Sequence, residues 1–262
     1  MQMFDLNDTV ERVKDAASLK TLKTDEEDSI IEFATEPELY GVIPEPIPAN
    51  KVLPEWYRHL EGRMGEGLNQ STVKRCAPFL DALSMGWIIP LAGEVEFNAQ
   101  SEEFVNYEWG FDRELVSNHS PDQVGGEEFP LAPFPIIKFH NFWAINVPDG
   151  YSVLFTKPLN RVENRFQVFS GVVDCDSYYN YVNFPCVWSA PEFSGVIPAG
   201  TPLIQAIPFK RDGIISDAVV KEMDDEEQAE IQKTKTILSG RESAYRNEMW
   251  QHKRGSRNLP PE

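Results

Sequence analysis

What most limits the fold of this chain is the rhythm of its middle. From Thr72 to Phe209, short runs rich in β-branched and aromatic residues alternate with Pro, Gly and Asn. They read TVKRCA, MGWIIPL, EVEFNA, FVNYEW, IIKFH, WAINVP, YSVLFTKP, FQVFSGVVD, YVNFPCVW, FSGVIP and PLIQAIPF. Runs this short, bounded by residues that interrupt regular backbone, are strands joined by turns. No helical pattern stands between successive strands, so a parallel sheet built from βαβ units is excluded. The rhythm predicts a mainly β fold of antiparallel strands, arranged as a sandwich, a jelly roll or a barrel.

The flanks read differently. In residues 1–24, Phe4, Leu6, Val10, Val13 and Ala17 fall roughly at helical spacing, with Asp5 or Asn7 as the cap, and predict a short helix. Thr24–Asp28 is an acidic turn, and residues 29–35 read as a strand. Pro44, Pro46, Pro48 and Pro54 then rule out a central strand or a helix interior, so this stretch is an extended arm. Pro54 opens a short helix, PEWYRHL, and residues 61–70 form a loop. Residues 223–250 are the best helix of the chain, acidic at the start and basic at the end as the helix dipole favours, with Gly240 kinking or splitting it. The last residues form a locally basic tail with Lys253, Arg254 and Arg257. The expected division is 1–71 for the N-terminal helix, strand and proline arm, 72–212 for the β core, and 213–262 for the C-terminal helix and tail.

Charge narrows the partners. Asp and Glu number 42 against 24 Lys and Arg, a formal net of -18 over 262 residues. Such a surface repels the phosphates of nucleic acid and of anionic membranes, so no nucleic-acid coating and no membrane association are expected. It reads as a solubility adaptation, or as an acidic face that recruits a basic partner. Cys76, Cys175 and Cys186 are too few, and odd in number, for a disulfide framework, and the N-terminus shows no apolar signal core. The expectation is a cytoplasmic protein.

Catalytic motifs are mostly missing. His59, His119, His140 and His252 lie in no HxD or HxE pair, so no metal is expected; a jelly-roll oxygenase would need His140 and His119 to converge with a carboxylate. There is no GxSxG, no GxxxxGK[ST] and no GxGxxG. The aromatic runs FHNFW, YYNYVNF and NYEWGF read as core, with any exposed members free to form a stacking platform or a protein interface.

The strongest signal runs from Trp143 to Arg211. PDGYSVLF is a turn entering a strand, GVVDCDSYY sets an apolar strand against the paired carboxylates Asp174 and Asp176, and AGTPLIQAIPF is a turn feeding another strand. These pieces, in this order, resemble the dUTPase and dCTP-deaminase superfamily. More weakly, DALSMGWIIPLAGEVEF at 81–97 is similar to that family's first strand pair. The resemblance spans residues 76–209 and implies a distorted jelly-roll or dUTPase-like β barrel, often trimeric, with nucleotide pockets between subunits. It also implies that Asp174 positions an attacking water and that Tyr178 or Tyr179 stacks on the sugar. The family's Arg-Ser-Ser phosphate motif is represented only by Lys157-Pro158-Leu159-Asn160, and its Gly-rich C-terminal flap is missing. The pieces IPEPIPANKVLPEWY, VKRCAPFLDALSMGWIIPL and GTPLIQAIPFKRD are also similar to an uncharacterised family of tailed-phage and bacterial proteins, which implies a viral setting, in host cytoplasm or virion.

Two functional expectations follow. The first is a non-catalytic binding or assembly module, forming a homo-oligomer or docking on other viral or host proteins through the proline arm, the C-terminal helix and the tail, with no cofactor. The second is a nucleotide or small-molecule hydrolase. There Asp174 is the base, Asp176 tunes it by like charge, Tyr178 or Tyr179 stacks on the ligand, and Lys157, Arg161 and Lys210 take phosphate. The plain structural alternative makes Asp174 a turn carboxylate that accepts backbone N–H bonds.

Overall fold

The computed structural model describes residues 30–251, except residues 69, 102, 132 and 242. The predicted helix over 1–24, the acidic turn Thr24–Asp28, His252 and the basic tail with Lys253, Arg254 and Arg257 lie outside the described residues. The strands are β1 (Glu32–Ala34), β2 (Ile47–Pro48), β3 (Arg63–Met64), β4 (Gln70–Ser71), β5 (Trp87–Pro90), β6 (Val95–Ala99), β7 (Val105–Glu108), β8 (Val116–His119), β9 (Ile136–Phe139), β10 (Ala144–Asn146), β11 (Tyr151–Thr156), β12 (Phe166–Val168), β13 (Gly171–Val173), β14 (Phe184–Trp188), β15 (Ser194–Ile197) and β16 (Pro202–Lys210). Three α-helical stretches accompany them among the described residues: α1 (Glu55–Arg58), α2 (Ala77–Ser84) and α3 (Asp225–Gly240). No helix among the described residues is long and apolar enough to cross a membrane.

The fold is mainly β, and every ladder between these strands is antiparallel. A five-stranded sheet has the order β13-β11-β16-β5-β2, a four-stranded sheet β12-β14-β9-β8, and a three-stranded sheet β15-β6-β7. Two short ribbons, β1-β10 and β3-β4, complete it. Among the described residues the ladders form separate sheets and do not join into one closed ring.

One apolar core lies among the three larger sheets. Phe97 of β6 stacks on Trp188 of β14 with ring centroids 4.3 Å apart, and Phe155 of β11 meets Phe184 of β14 at 5.9 Å. Alternation explains which residues point there. In β6, Val95 and Phe97 are buried while Glu96 and Asn98 face out. Of the aromatic runs, Phe139, Phe142, Trp143 and Phe184 are core, whereas Tyr178 and Tyr179 are exposed.

Several local expectations are corrected. TVKRCA, read as a strand, is a 3-10 turn over Val73–Arg75 running into α2. Thr72 caps the turn by accepting the Lys74 N–H at 3.3 Å, and Pro78 falls in the first turn of α2, where its missing N–H costs nothing. FQVFSGVVD divides into β12 and β13, which join different sheets. β8, in a stretch that carries no strand signal, pairs along β9. The proline arm contributes β2 at the edge of the five-stranded sheet, where a missing N–H is tolerated.

β16 is a central strand containing two prolines, and the ladder yields at both. Pro202 sits beside a register shift against β5, and Pro208 lies beyond the end of the β5 pairing, which stops at Ala206. Gly86, entering β5, has φ +68°, and a Cβ there would meet the Ala206 carbonyl oxygen at 2.1 Å. Only glycine fits that approach.

Beyond β16 the chain leaves the body. Residues 214–224 belong to no helix or strand. α3 follows, closed at its start by a capping box in which Asp224 and Glu227 exchange bonds of 2.9 and 3.1 Å. It ends after Gly240, where Arg241 turns extended, so the expected split falls at that glycine. The chain then returns: Arg75 donates to Ser243 Oγ at 2.8 Å, Ala244 is buried, and Trp250 Nε1 donates to Asp81 Oδ2 at 2.8 Å.

Candidate functional site

β11 carries the sequence-derived site residues to its two ends, about 20 Å apart by the rise of a six-residue strand. At its start lie Asp174, Asp176 and Lys210; past its end lie Lys157 and Arg161.

The first end is a clasp. β13 pairs with β11, so its exit places Asp174 and Asp176 over the turn that enters β11. Asp176 Oδ2 accepts the Gly150 N–H at 2.9 Å, in a turn where Gly150 takes φ +83°. Arg211, just past β16, grips the same carboxylate with both terminal nitrogens, at 3.0 and 2.5 Å. Arg211 also donates to the Tyr151 carbonyl at 2.7 Å. One carboxylate thus ties together three stretches of chain. Its side chain is only 8% exposed, and the Arg211 guanidinium holds its carboxyl down to about 2, assisted by the Gly150 N–H and opposed by partial burial.

Asp174 is placed differently. Its side chain is 59% exposed, it accepts the Ser152 hydroxyl at 2.5 Å, and it faces Arg211 at 3.5 Å. Its carbonyl receives the Ser177 and Tyr178 N–H groups at 3.0 and 2.9 Å, so the residue also shapes a turn. Between the two acids, Cys175 is buried, and burial with its acidic neighbours pushes its thiol up to about 11, which removes it as a nucleophile. Lys210 lies over the Tyr151 ring at 5.7 Å. Tyr178 is exposed, and Tyr179 lines a shallow hollow of about 280 Å³ beside Thr35, Glu36 and Tyr181.

The other end is a cleft of about 670 Å³, a size that suits a small ligand or a few side chains. β11 exits at Lys157 into the turn Pro158–Leu159–Asn160–Arg161, in which Asn160 takes the left-handed conformation (φ +56°). Gln205, fully buried in β16, fixes this turn. Its Oε1 accepts the Leu159 N–H at 2.8 Å while its Nε2 donates to the Met85 and Ala82 carbonyls at 2.6 and 3.0 Å. The opposite walls are Trp56 of α1, Phe166–Val168 of β12, Ser189 and the start of β16.

The electrostatics of the cleft are unusual for so acidic a chain. Arg161 is half-buried and donates to the Val52 carbonyl, yet its Nε finds no acceptor. Burial pulls its pKa down, and among the described residues no carboxylate pairs with it or with Lys157. Glu163, on the same rim, is occupied. Burial pushes its carboxyl up, but Arg165, bonded at 2.8 and 2.6 Å, more than offsets this and holds it below the ordinary range. The cleft therefore presents positive charge beside Trp56, an arrangement suited to a carboxylate or phosphate joined to something apolar.

The structure thus brings Asp174, Asp176 and Lys210 together, and separately Lys157 with Arg161. Sequence reasoning passed over Gln205, Trp56 and Ser152, and gave Arg211 no role in the site. Gln205 and Arg211 both sit in the quoted strand motif, but the partners that give them roles are distant in sequence. The histidines do not converge: His119 pairs across from Ile136 at one end of β9, and His140 follows the other end. His140 Nε2 meets both Ser117 Oγ at 2.8 Å and Glu114 Oε2 at 3.3 Å, so the carboxylate does not orient the ring from the opposite nitrogen as a catalytic triad requires. Among the described residues no group of three His, Cys, Asp or Glu stands close enough to hold a metal ion.

No protein-family model matches the chain, and no curated protein is similar to it. Among solved structures, it is similar to two of the dUTPase from phage phi11 of S. aureus, one of a mutant form that describes coordination of a structural Mg(II) ion and one that describes a species-specific insert. Identity is 13% in both, over 50% of this chain and 97% and 96% of theirs, with TM-scores of 0.26 and 0.25. Superpositions this low carry no weight for fold or function.

Proposed function

We propose that this chain is a non-catalytic binding and assembly module on a dUTPase-like, distorted jelly-roll core, and that its C-terminal arm, residues 214–240, docks on sister subunits. A viral setting, in host cytoplasm or virion, is part of this reading and rests on the sequence resemblance.

The arm supports the reading. Ile215, Val219 and Val220 are 88%, 89% and 98% exposed, and α3 has no buried residue. Among the described residues, the hydrogen bonds and ion pairs of 215–240 stay within the segment, as in the Lys221–Glu227 pair at 2.6 Å. A lone helix of this length is marginal in water and gains most of its stability from packing. Consecutive β-branched side chains held in water gain nothing by being there. A second subunit covers both.

Native mass spectrometry and sedimentation of the full chain over a range of concentrations test this. The expected result is a homo-oligomer that the double substitution Val219→Asp, Val220→Asp dissociates into monomers that still unfold cooperatively. A monomer at every concentration overturns it.

The nucleotide-hydrolase reading draws on the unpaired Arg161 and Lys157, which suit phosphate. Set against it, Asp174 lies a whole strand away from both. Under that reading a nucleoside triphosphate raises the melting temperature and is hydrolysed, and Asp174→Asn abolishes turnover while retaining binding.

A further inference from the structure

The cleft and the arm answer one another, and this inference rests on the assembly reading above. We infer that the arm of one copy seats in the Lys157–Arg161 cleft of a second copy.

The argument is one of complementary charge and apolarity. The arm passes from an apolar run, Val219, Val220 and Met223, into the acidic run Asp224, Asp225, Glu226 and Glu227. Asp224 and Glu227 are spent on the capping box, and Glu227 also on Lys221. Asp225 and Glu226 are left exposed with no partner among the described residues. The cleft offers the matching set. Lys157 and Arg161 lack carboxylates, while Trp56 (45% exposed) and Val162 (79% exposed) provide apolar surface on its rim.

Two further points favour a second copy as the occupant. A chain of net charge -18 repels an acidic segment over much of its surface, so a cleft bearing two cations that no described carboxylate pairs is where such a segment is attracted. The arm is also unengaged: among the described residues the hydrogen bonds and ion pairs of 215–240 stay within the segment. Seated there, Asp225 and Glu226 lie against Lys157 and the Arg161 guanidinium, and Val219 and Val220 cover Trp56 and Val162. Two copies that exchange arms reciprocally form a closed dimer, and copies that each give the arm to the next form a larger assembly.

Charge reversal on the full chain tests this, read by sedimentation at low and high salt. Lys157 is the residue to reverse, because it has no partner among the described residues, whereas Arg161 also holds the Val52 carbonyl. Lys157→Glu and the pair Asp225→Lys, Glu226→Lys are each expected to weaken association about tenfold or more, and combining them to restore most of it. High salt is expected to weaken the wild type in the same direction. If Val219→Asp, Val220→Asp dissociates the oligomer while Lys157→Glu leaves it unchanged, the arm docks elsewhere; this inference falls and the assembly reading stands. If the wild type is monomeric throughout, both fall. If inorganic pyrophosphate raises the melting temperature of the wild type but not of Lys157→Glu, and leaves sedimentation unchanged, the cleft belongs to a small anion and the inference is overturned.

Discussion

Arg211 and Arg161 stand near opposite ends of β11. Arg211 is spent inside its own chain, gripping Asp176 with both terminal nitrogens and capping the Tyr151 carbonyl. Arg161 is more deeply placed, holds only the Val52 carbonyl, and keeps a buried Nε without an acceptor. Desolvating a guanidinium is costly unless a carboxylate answers it. At the clasp that cost is met within the fold; at the cleft no carboxylate among the described residues answers Arg161 or Lys157, which marks the cleft as a surface for an anionic partner to complete.

The largest effect is expected where the cleft is framed. Gln205→Ala strands the Leu159 N–H and two carbonyls in the core, and is expected to cost about 3–5 kcal/mol, a fall in Tm of about 10 °C by calorimetry. A loss under about 1 kcal/mol would show that the cleft turn does not depend on that side chain. Asp176→Ala comes next, because it unties the turn at Gly150 and frees Arg211. A Tm about 5 °C lower is expected, and no change would reduce the clasp to surface decoration.

The clasp also sets a pH dependence. Asp176 is held at about 2 in the folded chain, below the ordinary carboxylate value, so its stabilisation is complete above about pH 4 and is lost as pH falls toward 2. Thermal unfolding followed from pH 7 down should show that loss in the wild type and a shallower one in Asp176→Asn; identical profiles would contradict the assignment. The smallest stability effect belongs to Lys157→Glu. Being exposed and without a partner among the described residues, it is expected to shift the stability of the dissociated chain by less than about 0.5 kcal/mol while weakening association.

Much of the fold was legible from local pattern. The alternation in EVEFNA, where valine and phenylalanine go in and glutamate and asparagine go out, gave β6 directly, and Gly240 marked the end of α3. TVKRCA misled because β-branched and apolar residues there suggest a strand, while the cap at Thr72 and Pro78 decide for a helix. FQVFSGVVD looked continuous because both halves are apolar; that they serve different sheets is a long-range fact. The site was harder to read. Asp174 and Asp176 were visible as a pair, but their roles depend on Ser152 and Arg211, which are brought to them by the β11 ladders. The cleft depends on Gln205 reaching residues that lie 46 and 120 positions away, which no local pattern encodes.

The central claim is that α3 and the run before it are covered by another copy of the chain. Hydrogen–deuterium exchange at the α3 amides, followed as protein concentration rises, tests this most directly. The account predicts slow exchange over 225–240 at high concentration and fast exchange on dilution. Fast exchange at every concentration, with β11 and β16 protected throughout, would contradict it.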